Sequence, residues 1–139
     1  MMRRTLLALP FAMRLQADAG REVWDLLGAA ASALSEGNAA AFMDCFDPKM
    51  PGYEDLRADV AALVLEAEPR SSIELVTNRG DDQTRALEAD WLLDIVQRQG
   101  SIGSTRREER IKVRAAKAGK RWRIVAFEPA GFFAPPNPR

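Results

Sequence analysis

Apolar and polar residues alternate along Leu87–Ile95, the most regular pattern in the chain. The odd-numbered members are all apolar: Leu87, Ala89, Trp91, Leu93 and Ile95. Glu88, Asp90 and Asp94 occupy even-numbered positions. Because side chains of a β-strand point alternately to opposite faces, the pattern predicts a strand with one apolar and one acidic face.

Three further strands complete the predicted sheet, at Ser72–Asn78, Arg110–Ala115 and Arg121–Phe127. Turn-forming residues separate them at 78–82 and 117–120, so the strands form an antiparallel meander. The apolar side of Ile111 and Val113 continues that of the central strand. In the last strand, alternation predicts that Trp122, Ile124 and Ala126 share the apolar face and that Phe127 lies on the other.

Three helices precede the sheet and are expected to cover its apolar face. Helical spacing of apolar residues predicts them at Gly20–Glu36, Ala39–Phe46 and Tyr53–Ala67. Gly37 is suited to ending the first helix and Asn38 to capping the second. Pro69 marks the expected end of the third.

The N-terminal 19 residues have the pattern of a secretory signal. Arg3 and Arg4 precede a short apolar run at 5–13, and Ala17 and Ala19 supply small residues for cleavage. The prediction is an exported domain at 20–134, periplasmic or secreted, with a tail at 135–139 and no stable membrane span once the signal is removed. The alternative is that residues 1–19 form the front of the first helix in a cytoplasmic protein.

Composition excludes several kinds of site. The 139 residues include 20 basic and 20 acidic side chains, so no basic excess favours a nucleic-acid partner. One cysteine, Cys45, and no histidine rule out an internal disulfide, a cysteine-built zinc site and the Ser-His or Cys-His nucleophile pairs. We predict no metal and no cofactor.

Glu109, Arg107 and Tyr53 are the candidate catalytic residues. If the alternation of Ile111 and Val113 extends backwards, Arg107 and Glu109 point into the sheet's apolar side. A half-buried carboxylate there would have a raised pKa and could transfer protons. The alternatives are a solvated pair of charges at a strand end and, for the only tyrosine, a capping aromatic at a helix start.

Three helices followed by a four-stranded meander, closed by Gly119–Val125 (GKRWRIV) and an aromatic tail, resemble the nuclear-transport-factor-2-like superfamily, particularly its SnoaL-like branch. The segment Leu34–Phe42 also resembles that family's link between helices. The resemblance implies an α+β, cystatin-like fold: a cone-shaped, curved antiparallel sheet wrapped around N-terminal helices. Enzymes of the family generally place an Asp or a His-Asp pair inside the cone. This chain has no histidine and no acid on the apolar face of its central strand.

These observations leave three hypotheses, of which the first and third rank above the second. The first is a pocket for a small apolar ligand, or the same residues packed as a solid core: Trp24, Phe42, Phe46, Trp91 and Leu93. The second is an acid-base isomerase or lyase that requires a buried Glu109. The third is a structural role as a homodimer, through the Phe132–Phe133 tail or through outer-face residues: Leu92, Val96, Val125 and Phe127.

Overall fold

Helices occupy the first half of the chain and one antiparallel sheet the second. The computed structural model describes residues 11–98 and 103–136, with the backbone alone for 11–17. The helices are α1 (Phe11–Ser35), α2 (Ala39–Met43) and α3 (Tyr53–Glu66). The strands are β1 (Ala67–Gly80), β2 (Thr84–Gln97), β3 (Ser104–Ala118) and β4 (Arg121–Glu128).

The four strands pair in chain order as an antiparallel meander. The inner face of the sheet, defined by the odd-numbered residues of Leu87–Ile95, is fully covered, and the buried residues of α1 pack with it in one core. The even-numbered residues of the same strand are partly exposed and define the outer face. The alternation read from the sequence and the α+β fold are therefore confirmed.

On the outer face, acidic residues of β2 lie opposite basic residues of β3. Glu88 lies opposite Lys112, and Asp94 lies opposite Arg106. Asp90 lies opposite Arg110, whose Nε is 2.7 Å from the Asp90 Oδ1 atom. This hydrogen bond lowers the pKa of Asp90 from its ordinary value. Both side chains are accessible to solvent, so the pair contributes to the charge pattern of the outer face more than to the stability of the fold.

The prediction for the last strand is wrong in one respect. The register between β3 and β4 shifts between Arg114 and Ala115, which pair with Ala126 and Ile124, so Val125 is the extra residue of a bulge. The bulge reverses the alternation beyond it. Phe127 therefore pairs with Val113 on the inner face, and Ala126 lies on the outer face. Phe127 is thus unavailable for the dimer interface suggested on the outer face.

Element boundaries also differ from the predictions. The first strand begins at Ala67, directly after α3, and Pro69 lies within it rather than ending the helix. A proline is tolerated there because β1 is an edge strand. Helix α2 ends at Met43, whereas Ala39–Phe46 was predicted, because Phe46 leaves the helix to bridge Ile124 of β4.

A buried arginine closes the β1–β2 hairpin against α1. Arg85 extends the odd-numbered inner face and is only 8% exposed. Its Nε donates to Asn78 Oδ1 at 2.9 Å, and Asn78 Nδ2 donates to the Gly20 carbonyl at 2.8 Å. Gly80 is required here because its φ is +141° and an added Cβ would lie 2.3 Å from the Thr84 carbonyl oxygen.

The predicted signal segment falls mostly outside the residues whose side chains are described. Helix α1 runs without a break from Phe11 past the predicted cleavage point, and Ala19 is buried in the core. Export and the domain limits at 20 and 134 stay predictions. Of the predicted tail, 137–139 lie outside the described residues.

Candidate functional site at the aromatic cluster

Six aromatic rings meet inside the sheet at the end that β4 and the C-terminal segment close. Their ring centroids are linked in a chain of contacts between 5.0 and 6.2 Å. The cluster consists of Phe42, Phe46, Trp91, Phe127, Phe132 and Phe133. Four belong to the helix-and-sheet scaffold, and two are supplied by the chain's own C-terminal segment.

Phe133 occupies the centre of this cluster. Its ring lies 5.1 Å from those of Phe42 and Trp91 in edge-to-face arrangements, the geometry that aromatic quadrupoles favour. It also lies 5.3 Å from the Phe127 ring and 5.0 Å from the Phe132 ring. Phe133 is 1% exposed and Phe132 4%. Both adjacent phenylalanines are therefore buried, so neither ring is exposed for the dimer contact predicted through this tail.

The segment that carries these rings belongs to neither a helix nor the sheet. After β4 it makes a turn at Gly131, whose φ is +82°, and the Ala134 N–H donates to the Gly131 carbonyl at 3.0 Å. Arg107 on β3 donates from Nη1 to the Phe132 carbonyl oxygen. We call residues 131–134 the aromatic plug, because they fill the space that the scaffold aromatics surround.

A small cavity remains beside the plug. It has a volume of about 80 Å³, and Phe127, Phe132 and Phe133 form its apolar wall. Leu56 also lines the cavity, as do two carboxylates of α3, Asp55 and Asp59. A cavity of about 150 Å³ accommodates benzene. The space is therefore too small for a ring unless the plug moves.

The predicted pocket residues mostly converge on this site. Phe42, Phe46, Trp91 and Leu93 are all completely buried in one core, whereas Trp24 is half-buried on α1 and packs against that core. Trp91 donates from Nε1 to Ser71 Oγ at 3.0 Å, which fixes its ring. Sequence reasoning missed Phe127, because of the bulge, and did not place the plug inside the pocket.

The three candidate catalytic residues do not form one site. Glu109 pairs with Trp91 in register, so it belongs to the inner face as expected, but its side chain is exposed. The buried carboxylate that the acid-base hypothesis requires is therefore not formed by Glu109. Tyr53 is half-buried at the start of α3 and lines a different surface hollow, with Met43 and Arg57.

Arg107 is half-buried and serves the plug. Burial lowers the pKa of its guanidinium from the ordinary value, and the Asp59 carboxylate opposes that change. A guanidinium stays charged throughout the physiological pH range, so the hydrogen bond to Phe132 is charge-assisted. Arg107 therefore anchors the plug and does not act in proton transfer with Glu109.

Two other features concern the part of the chain that the structure describes. No group of three His, Cys, Asp or Glu side chains there is close enough to hold a metal ion. None of the helices in that part is both long and apolar enough to cross a membrane.

The antiparallel meander with helices on its inner face is an α+β fold shared with solved structures described as NTF-2-like and as cystatin-like. No family model matches the chain, and no curated protein matches it. Solved structures that share the fold include a conserved protein from Planctomyces limnophilus, with a TM-score of 0.69, 8% identity and coverage of 76% of this chain and 90% of that one.

Two more show the same likeness. A Novosphingobium aromaticivorans protein, provisionally described as an aromatic ring hydroxylase, has a TM-score of 0.65 and 14% identity over 80% of this chain and 87% of its own. An NTF-2-like protein of unknown function from Shewanella oneidensis has a TM-score of 0.63 and 12% identity over 77% and 94%. At such identities the likeness establishes the fold alone.

Proposed function

We propose that this domain is a non-catalytic binding module. It binds a small, apolar, ring-shaped ligand in the space among the scaffold aromatics when the aromatic plug leaves that space. The observation that carries the proposal is the position of Phe133. Its ring lies edge-to-face against Phe42 and Trp91, as a bound aromatic ring would lie. The plug is in this sense an internal substitute for the ligand.

The attachment of the plug supports its release. Among the described residues, one side chain, Arg107, hydrogen-bonds to the plug, and the plug's backbone does not join the sheet. The scaffold residues Phe42, Phe46 and Trp91 come from α2, the segment after it and β2, which are held together by other contacts. Release would open an apolar pocket without dismantling the fold.

The ligand class follows from the lining. Once the plug has left, four aromatic rings of the scaffold remain around the space: Phe42, Phe46, Trp91 and Phe127. Asp55 and Asp59 are the charged residues that line the adjoining cavity. Pockets of this composition bind flat apolar molecules, with orientation set by the few polar groups. The name of the Novosphingobium protein, which refers to an aromatic ring, agrees with this class.

The test is a titration of the wild-type protein with naphthalene and indole, followed by tryptophan fluorescence and by amide NMR shifts of residues 131–134. We expect the two signals to give the same Kd, because binding and plug release are one event. Phe133→Ala should bind at least about tenfold more tightly, since less plug contact must be broken. Leu75→Ala, on the exposed edge of β1, is the matched control and should bind as the wild type does.

The decisive comparison is between wild type and variant. If Phe133→Ala binds indole and the wild type does not, the substitution has created a cavity in a solid core that the wild type does not open, and the proposal is wrong. Binding by both without any shift at 131–134 would place the ligand elsewhere and would equally contradict it.

A structural role is the second candidate, favoured by two apolar side chains on the outer face. Leu92 and Val96 of β2 are only half-buried and point away from the core. They would form part of a homodimer interface, flanked by the charge pairs of β2 and β3. Sedimentation velocity at micromolar concentration tests it, and a monomer that persists there would exclude it.

Export also stays a proposal, supported by the pattern of residues 1–19. Mass spectrometry of the protein recovered from the periplasm or medium of its host should find a chain that begins at Gly20. An intact Met1 would contradict the proposal.

A further inference from the structure

A second hollow, unrelated to the aromatic cluster, lies on the outer face near the β1–β2 hairpin. Its volume is about 370 Å³. One row of paired residues crosses all four strands at its floor. The row runs Arg79 on β1, Ala86 on β2, Arg114 on β3 and Ala126 on β4. The two alanines leave space that longer side chains would fill, and the two arginines border it.

The neighbouring row has a different charge pattern. It runs Thr77, Glu88, Lys112 and Glu128 across the same strands. Lys112 is thus flanked on both sides by carboxylates, whereas the row of Arg79 and Arg114 contains none. Within the described residues, none of these charged side chains has an opposite charge within 4.0 Å.

Strand geometry allows the two arginines to act on one ligand. Strands two apart in a sheet are separated by about 10 Å, since neighbours lie about 4.8 Å apart. Each arginine side chain extends far enough to reach the midpoint above Ala86, and its planar guanidinium matches an oxyanion with two parallel hydrogen bonds.

Two bulges lie beside the hollow and account for its shape. The register of β1 shifts at Val76, next to Thr77, and that of β4 shifts at Val125, next to Ala126. Bulges bend the strand that carries them and increase its twist. The outer face is therefore irregular at the place where the uncompensated arginines lie.

We propose that this hollow binds the oxyanion of a small molecule, a carboxylate or a phosphate, between Arg79 and Arg114, with the apolar part of the ligand over Ala86 and Ala126. The charge of the first row and the space above its alanines carry the assignment. Glu88 and Glu128 limit the anionic charge that the site accepts, so a compact oxyanion fits better than a polyanion.

The experiment titrates the full chain with benzoate and, separately, with inorganic phosphate at millimolar concentration, and follows amide NMR shifts. We expect shifts centred on Ala86, Arg114 and Ala126. Arg79→Gln and Arg114→Gln should each weaken binding about 3- to 10-fold. Arg106→Gln is the control, because it makes the same charge change on β3 outside the hollow and should leave the Kd unchanged.

Glu88→Gln gives a test of opposite sign. Removing this carboxylate should tighten binding about twofold or more, because it repels an anion in the hollow. A stronger response to benzoate than to phosphate assigns the carboxylate as the ligand group, and the reverse assigns the phosphate. Absence of shifts with both anions, or equal weakening by Arg106→Gln and Arg114→Gln, would overturn the proposal. All four side chains lie on the outer face, so the variants should fold.

Discussion

The aromatic plug makes a quantitative prediction about stability. Replacing Phe133 by alanine removes a ring that is 1% exposed and that contacts four other rings. Deleting a buried phenylalanine side chain costs about 3–5 kcal/mol, and each edge-to-face pair adds about 0.5–1.5 kcal/mol beyond area burial. We expect Phe133→Ala to lower the free energy of unfolding by about 4 kcal/mol.

Phe132→Ala is the matched control. Phe132 is buried as well, but its ring contacts only those of Trp91 and Phe133 within the described residues. We expect a loss of about 3 kcal/mol, at the lower end of the same range, so that the difference between the variants is about 1 kcal/mol. Urea unfolding followed by tryptophan fluorescence and circular dichroism measures both. A loss below about 1 kcal/mol for Phe133→Ala would refute the reasoning, because the ring would then spend little time in the cone.

Two other predictions concern the β1–β2 hairpin. Arg85→Met should destabilise the protein by about 2–3 kcal/mol, because it breaks the hydrogen bond to Asn78 and leaves buried acceptors unpaired. The control, Arg114→Met, changes an exposed side chain and should cost under about 0.5 kcal/mol. Urea unfolding measures both, and equal stability of the two variants would contradict the prediction. Asp81 accepts hydrogen bonds from the Thr84 and Gln83 N–H groups, which lower the pKa of its carboxyl. The contribution of this carboxylate to folding stability should therefore be complete above about pH 4, the pKa range of an unfolded aspartate. It should be lost as the pH falls through the lower pKa of the folded state. Asp81→Ala should therefore show a flatter loss of thermal stability on acidification than the wild type, and parallel curves would refute the assignment.

The sheet was predictable because alternation with a period of two is a direct consequence of strand geometry. The same parity places Arg85 on the inner face, two residues before Leu87. The prediction stopped short of it because arginine is normally a surface residue. A charged residue at an inward-pointing position was therefore the signal in the sequence for the buried arginine that closes the hairpin.

The aromatic cluster was less predictable than the sheet, because the positions of several of its rings depend on irregular structure. A bulge at Val125 places Phe127 on the inner face of the sheet, and the sequence there has no glycine or other marker of a shift in strand register. The sequence offered Phe132 and Phe133 as a dimer contact, because a segment without periodicity does not indicate which way its side chains point. Glu109 illustrates the opposite case. Its face followed from parity, but parity does not determine exposure, and its side chain is exposed.

The plug and the outer hollow separate two ways in which one small fold can bind a ligand, and salt distinguishes them. An oxyanion between Arg79 and Arg114 is held by exposed charges, so its affinity must fall as ionic strength rises. An apolar ring that replaces Phe133 gains its affinity from burial, and salt does not screen burial. A carboxylate with an aromatic body, such as benzoate, offers chemistry to both sites. Its titration at low and high salt therefore assigns the occupied site before any residue is mutated, because affinity falls with salt at the outer hollow and does not fall at the plug.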